Sequence, residues 1–133
     1  MNCIFCDIVK NKEPSAKIYE DEFVIAFLDT AQVTKGHTLV IPKQHYRNIL
    51  AMKDELVGKL FQSVAKVSKQ LKFRTNALGI NIVSNNEAGA EQVVFHTHVH
   101  LIPRYKDDGV RMKSKQHYVS FEELYKLSNK LRI

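Results

Sequence analysis

The sequence has few cysteines that could form disulfide bonds and no long apolar segment that could span a membrane. Of its 133 residues, two are cysteines, three are prolines and none is tryptophan. No apolar run approaches the ~20 residues that span a bilayer. The first ten residues have neither the basic region nor the long apolar region of a secretory signal. We therefore expect a cytoplasmic protein with no disulfide framework and no membrane association.

The overall composition is that of an ordinary globular chain. Apolar residues make up 44% and charged residues 26%, and the formal net charge is +6. A chain of this length is expected to form a single domain over residues 1–133. The positive charge favours an anionic partner, but the lysines are scattered and no nucleic-acid motif is present. A nucleic-acid partner is therefore not expected.

Hydrophobic periodicity predicts strands interrupted by one long helix. Short runs rich in β-branched and aromatic residues predict strands, helical spacing of apolar residues predicts a long helix, and Ser120 with Glu123 forms a capping box. Strands are expected at 16–21, 23–29, 37–42, 78–85 and 94–103, and helices at 4–12, 54–73 and 120–131. Strands and helices do not alternate regularly, so the predicted class is α+β with a mainly antiparallel five-stranded sheet.

Three of the six histidines fall at every second position, as His96, His98 and His100. On a strand, alternate side chains share a face, so the three rings are expected to form a row. Three imidazoles on one face are costly to bury without partners. The row indicates either metal binding or phosphoryl transfer with an imidazole nucleophile. The loop upstream, "NNEAGAEQ", could present backbone amides to a phosphate.

Cys3 and Cys6 form a C-x-x-C motif at the start of the chain. Two reduced core thiols, a redox pair and half of a zinc site are all consistent with the residues alone.

Several motifs, in order, resemble those of the histidine triad (HIT) family of nucleotide hydrolases and transferases. "HTHVHLI" resembles its His-φ-His-φ-His-φ-φ signature, where φ is apolar. "CIFCDIV", "AFLDTAQVTKGHTLVIPKQH" and "VSNNEAGAEQVVFHTHVHLIPR" resemble its other conserved blocks, and the match weakens beyond about residue 105. The resemblance implies a HIT-like fold and a homodimer.

The resemblance also implies residue roles. His98 would be the nucleophile that takes up a nucleoside monophosphate, and His100 would contact the transferred phosphate. Asp29 would bind the ribose hydroxyls, although it also suits a turn after a strand. The remaining nucleotide-binding positions are Asn85 and Gln92 for phosphate or ribose, and Ile4, Phe5, Ile8 and Phe27 for the base. These four apolar residues fit an ordinary core equally well.

Prokaryotic zinc-containing members of the family bind a structural zinc with four residues that match Cys3, Cys6, His45 and His96. The resemblance thus implies structural Zn²⁺ and no catalytic metal. We interpret His37, which belongs to the second block, as structural.

The implied function is a purine nucleoside-phosphate hydrolase that cleaves a phosphoramidate or a dinucleoside polyphosphate through a nucleotidyl-histidine. Two alternatives stay open. The histidine row could hold the metal of a phosphohydrolase. The chain could also be a nucleotide-binding regulatory protein with little turnover, because Val93 stands where many members carry Ser or Thr and Glu91 where the loop usually has Gly.

Overall fold

The computed structural model describes residues 2–133 and contains three α-helices and five strands. The helices are α1 (Ile4–Val9), α2 (Asp54–Thr75) and α3 (Phe121–Leu131). The strands are β1 (Lys17–Glu20), β2 (Val24–Leu28), β3 (Thr38–Pro42), β4 (Gly79–Val83) and β5 (Val99–Arg104). Short 3-10 turns span Ile49–Ala51 and Ala88–Ala90. Within the described part of the chain, no helix is both long and apolar enough to cross a membrane.

All five strands pair antiparallel in one sheet, in the order β1-β2-β3-β5-β4, which confirms the predicted α+β class. The β1–β2 hairpin closes at Asp21, whose carboxylate accepts hydrogen bonds from the backbone N–H groups of Phe23 and Val24. In the centre, β5 lies between β3 and β4, so that His100 is paired with Leu39 on one side and Val83 on the other.

The sheet has two differently covered faces. Alternation along β2 and β3 sends Val24, Ala26 and Val40 to one face, where they pack against α2. The helix contributes a stripe with the predicted helical spacing: Leu60, Val64, Val67 and Leu71. Burial of each such side chain stabilises the fold by about 1.5–3 kcal/mol. The α2 stripe is thus used within the monomer.

The opposite face carries Ile25, Phe27, Leu39 and Ile41. The short helix α1 packs here through Phe5 and Ile8, and Val94 packs beside it. Because one six-residue helix cannot cover the whole face, part of it remains open, and His100 points to this same side as the partner of Leu39.

The fifth strand is shorter than predicted. It begins at Val99 rather than at residue 94, so only His100 of the three histidines lies on it. The reason is a change of partner: the backbone N–H of Thr97 donates to the carbonyl of Tyr46 at 2.7 Å, in the β3–α2 connection, instead of to the β3 ladder. The expectation of three histidines on one regular strand is therefore wrong.

Candidate functional site

A cavity of about 850 Å³ opens on the sheet face beside α1. It brings together most of the residues that the sequence singled out, from α1, the end of β2, β5 and the loop after β4. These are Ile4, Phe5, Ile8, Phe27, Asp29, Asn85, His98 and His100. Phe5, Ile8 and Phe27 thus belong both to the core and to the cavity wall, whereas Ile4 is exposed.

His98 is held in one tautomer by the backbone. Its Nδ1 lies 2.7 Å from the carbonyl oxygen of His96, which can only accept, so the proton is on Nδ1. The lone pair is therefore on Nε2. Burial lowers the pKa of His98, and the ring of Phe5 stands edge-on to it at 5.2 Å between centroids. His98 is thus a neutral imidazole with a free nitrogen.

His100 is held in the opposite tautomer to His98, with its proton on Nε2, and His37 is the residue that holds it there. The backbone N–H of Val33 donates to Nδ1 of His37 at 3.1 Å, which leaves the His37 proton on Nε2. That Nε2–H donates to Nδ1 of His100 at 2.9 Å. His100 therefore carries its own proton on Nε2. Burial, together with the neighbouring imidazoles, lowers the pKa of His100 to about 4.

The contact between His37 and His100 is not evident from the sequence motifs, which favour a structural interpretation of His37. Alternation along the strand provides the signal that could have found it. His37 lies two residues before Leu39, on the side of β3 that faces His100. The two rings are 5.2 Å apart between centroids.

Asp29 combines the two roles considered for it. Its Oδ1 accepts a hydrogen bond from the backbone N–H of Ala31 at 2.8 Å, as expected of a turn residue after β2. Its Oδ2 lies 3.6 Å from Nε2 of His37, and the residue lines the cavity. Because the carboxylate has further acceptor positions, it can also receive hydroxyl donors there.

The structure does not bring Gln92 to the cavity. Its side chain is buried, and Nε2 donates to the carbonyls of Arg47 at 2.7 Å and Val94 at 3.1 Å. Its Oε1 accepts from Nδ2 of Asn48 at 3.0 Å and from the backbone N–H of Glu87 at 2.8 Å. Every hydrogen-bonding position of the amide is therefore used within the protein.

The loop after β4, which contains Gln92, is also stabilised by an ion pair that the sequence analysis did not predict. Arg47 donates two hydrogen bonds of 2.9 Å to the Glu87 carboxylate, and Asn48 donates a third at 2.6 Å. These donors lower the pKa of Glu87 to about 2. The partners are about 40 residues apart in sequence, so no local pattern indicates them.

A second cluster, which we call the Cys/His cluster, lies next to the cavity and consists of Cys3, Cys6, His45 and His96. The Nδ1 atoms of the two histidines are 3.2 Å apart, and Cys3 Sγ and Cys6 Sγ lie 3.4 and 3.5 Å from Nδ1 of His96. Cys6 Sγ is also 3.4 Å from Nδ1 of His45. Tetrahedral zinc with bonds of about 2.3 Å to sulfur and 2.0–2.1 Å to nitrogen has ligand–ligand edges of about 3.3–3.7 Å.

The protonation of His96 suits a metal. Its Nε2 donates to the carbonyl of Pro42 at 2.9 Å, so the lone pair is on Nδ1, inside the cluster. Burial and the adjacent Cys3 raise the pKa of the Cys6 thiol, and a bound cation would be needed to hold Cys6 as a thiolate. The four residues predicted for zinc therefore fit that ion.

Comparison with known proteins agrees with this arrangement. The family model described as HIT domain matches residues 10–107. The protein named Protein hit of Bacillus subtilis is 47% identical over 98% of this chain and 92% of its own length. The crystal structure of SMU.412c from Streptococcus mutans superposes with a TM-score of 0.95 at 48% identity, covering 99% of this chain and 85% of that one.

Two more distant relatives have names that state a chemistry. An adenylylsulfatase of Arabidopsis thaliana is 37% identical over 80% of this chain, which spans 54% of that protein. A zinc-bound histidine triad family protein from Mycobacterium smegmatis superposes with a TM-score of 0.79 at 35% identity, covering 88% of this chain and 85% of that one. The family model, the identity over nearly the full length and the superposition all agree, and the chain belongs to the histidine triad (HIT) family.

Proposed function

We propose that this protein is a nucleoside-phosphate hydrolase in which His98 transiently carries a nucleoside monophosphate. The observation that supports this most directly is the pairing of opposite tautomers. His98 offers a lone pair on Nε2, and His100, 5.2 Å away between ring centroids, offers a proton on Nε2. An anionic phosphoryl group needs both a nucleophile and a donor for its oxygens.

The proposed reaction has two displacements at phosphorus. With a phosphoramidate, Nε2 of His98 attacks, the P–Nε2 bond forms and the P–N bond to the leaving amine breaks. The amine takes a proton from solvent, since Val93 has no side-chain donor and is exposed. Water then attacks the phosphorus and releases one proton to solvent, the P–Nε2 bond breaks, and a nucleoside monophosphate leaves with neutral His98 restored. Meanwhile, His100 donates its Nε2–H to a phosphoryl oxygen.

The shape of the cavity supports a purine nucleotide as the substrate. Its apolar part, formed by Ile4, Phe5, Ile8 and Phe27, suits a flat base, and Asp29 at its edge suits the ribose hydroxyls. Asn85 lines the cavity from the loop after β4, which supports a role in binding phosphate or ribose. The names of two relatives are compatible with a nucleotide substrate. One is a histidine triad nucleotide-binding protein, and the other is an adenylylsulfatase.

We further propose that the Cys/His cluster holds a structural zinc ion. With two thiolates and two imidazoles, the site is closed and leaves no position for substrate. The ion would supply a cross-link between α1, the segment after β3 and residue 96, which lie 39 to 93 positions apart in sequence.

The hydrogen bonds give little support to a catalytic metal on the histidines of the cavity. Asp29, His37 and His100 are close enough to share an ion. However, His37 Nδ1 accepts from the Val33 N–H, so a metal on Nε2 would require that bond to break or the ring to become an imidazolate. His98 lies outside this group, which further separates such an ion from the proposed nucleophile.

The test is turnover of adenosine 5′-phosphoramidate by the zinc-loaded protein and its His98→Ala variant, with the exposed His117→Ala as control. We expect His98→Ala to lose turnover at unchanged circular dichroism, and acid-free mass spectrometry of the wild type to show a nucleotidyl adduct on His98. Turnover retained in His98→Ala would refute the nucleophile. Tight nucleotide binding with no turnover by the wild type would indicate a regulatory protein instead.

We also propose a cytoplasmic homodimer with a single domain over residues 1–133. Free cysteines that serve as metal ligands suit a reducing compartment. The edge strand β4 carries the exposed Ile82 and is preceded by the exposed Phe73 and Leu78, which a second copy could cover. Light scattering at several protein concentrations tests the dimer.

A further inference from the structure

The charges around the cavity are opposite in sign to the charge of the chain. The sequence has a net charge of +6, yet no lysine or arginine lines the cavity within residues 2–133. Three carboxylate residues do, namely Glu13, Asp29 and Glu91. Burial keeps His100 neutral, so its ring does not offset these charges at neutral pH. A substrate with many negative charges would meet repulsion here.

Two of the three carboxylate residues, Glu13 and Glu91, make no side-chain hydrogen bond or ion pair among the described residues, whereas Asp29 accepts from the N–H of Ala31. Glu91 is distinguished from Glu13 by its conformation. Its backbone has φ +69°, in the left-handed region that favours glycine. The position therefore holds a glutamate at a conformational cost and without a stabilising contact, in a residue that lines the cavity.

Glu91 lines the cavity from the loop after β4, as do Asn85 and Val93. The apolar pocket proposed for the base is built instead from α1 and the end of β2. With the base in that pocket and the phosphorus at His98, the loop residues are left to contact the leaving group.

We propose that Glu91 is a specificity-determining residue that selects leaving groups carrying a positive charge. The preferred substrates are nucleoside phosphoramidates of amines that bear a second, protonated amine, rather than dinucleoside polyphosphates. This inference rests on the proposed hydrolase. One exposed charge acting on another across part of the cavity changes a rate constant by about threefold to fivefold. Attraction of a cation and repulsion of an anion together give a preference of about tenfold to 25-fold.

The experiment compares three adenosine phosphoramidates whose leaving amines have equal length and end in an ammonium, an amide or a carboxylate group. The specificity constant kcat/KM is measured for the wild type and for Glu91→Gln, which removes the charge and keeps the side-chain shape. Taking the ratio of wild type to variant for each substrate cancels the different intrinsic reactivity of the amines. Glu22→Gln, at the exposed β1–β2 hairpin, is the matched charge control.

We expect Glu91→Gln to lower kcat/KM for the ammonium substrate by about threefold to fivefold, to raise it for the carboxylate substrate by a similar factor and to leave the amide substrate unchanged. Added salt should shrink both effects in the wild type. Glu22→Gln should change none of the three. Equal ratios for all three substrates would overturn the role of Glu91 while leaving the hydrolase intact. No turnover of any substrate would instead contradict the proposed function.

Discussion

Replacing Gln92 by alanine tests whether this side chain binds nucleotide or stabilises the fold. The structure gives the side chain four hydrogen bonds within the protein, and Gln92 does not line the cavity. The change leaves the N–H of Glu87, Nδ2 of Asn48 and two carbonyls to find other partners in a buried position. A typical intramolecular hydrogen bond contributes about 0.5–1.5 kcal/mol net, and some of the freed groups can reach water. We therefore expect a loss of about 2–4 kcal/mol in the free energy of unfolding.

For a domain of this size, that loss corresponds to a fall in Tm of about 6–16 °C. Thermal unfolding followed by circular dichroism, with zinc present throughout, measures it. Gln70→Ala, on the exposed surface of α2, is the control and should leave Tm within about 2 °C. If Gln92→Ala kept the wild-type Tm and only weakened the binding of adenosine monophosphate, the side chain would be a ligand and the hydrogen-bond argument would be wrong.

Three further outcomes are expected from the geometry of the site. Cys6→Ser should lower bound zinc, measured by atomic emission, from one ion per chain and lower Tm, because it removes one of four ligands; unchanged zinc content would contradict the ligand assignment. His37→Phe should lower kcat by about tenfold to a hundredfold without changing Tm much, because His100 loses the donor that fixes its tautomer; an unchanged kcat would show that the tautomer is fixed otherwise. His98 attacks only as a neutral imidazole, and burial lowers its pKa below the ordinary histidine value, so kcat should stay level as pH falls from about 8 through about 6.5; a fall centred near pH 6.5 would contradict the burial argument.

Local patterns predicted the elements of the fold but not their ends. The spacing of Leu60, Val64, Val67 and Leu71 predicted α2, and the prediction is confirmed because the same stripe meets the sheet. The start of β5 could not be predicted, since it depends on whether Thr97 pairs with β3 or with Tyr46, and either choice suits the local sequence. Strand ends of this kind are decided by tertiary partners rather than by periodicity.

The candidate site was likewise predictable from the sequence only in part. Motif spacing brought His98, His100 and Asp29 to attention, and the structure gathers them around one cavity. The place of Gln92 was not foreseeable in the same way, because the groups that hold its amide come from residues 47, 48, 87 and 94 and meet only in the folded chain. A polar residue next to a site motif can serve the loop as well as the ligand, and only its partners distinguish the two.

His96 links the Cys/His cluster to the proposed nucleophile, which changes how a metal effect should be understood. Its ring is fixed at both nitrogens, by the Pro42 carbonyl and by the cluster, and its own carbonyl oxygen holds Nδ1–H of His98. Removing a metal from the cluster would free the ring, loosen that carbonyl and weaken the preference for a lone pair on Nε2 of His98. Activity lost on chelation is therefore expected even if no metal touches the substrate.

Metal exchange distinguishes a structural ion from a catalytic one. Another tetrahedral divalent ion should leave kcat nearly unchanged if the ion only holds His96 in place, whereas an ion that polarises the phosphate should change kcat with its own acidity.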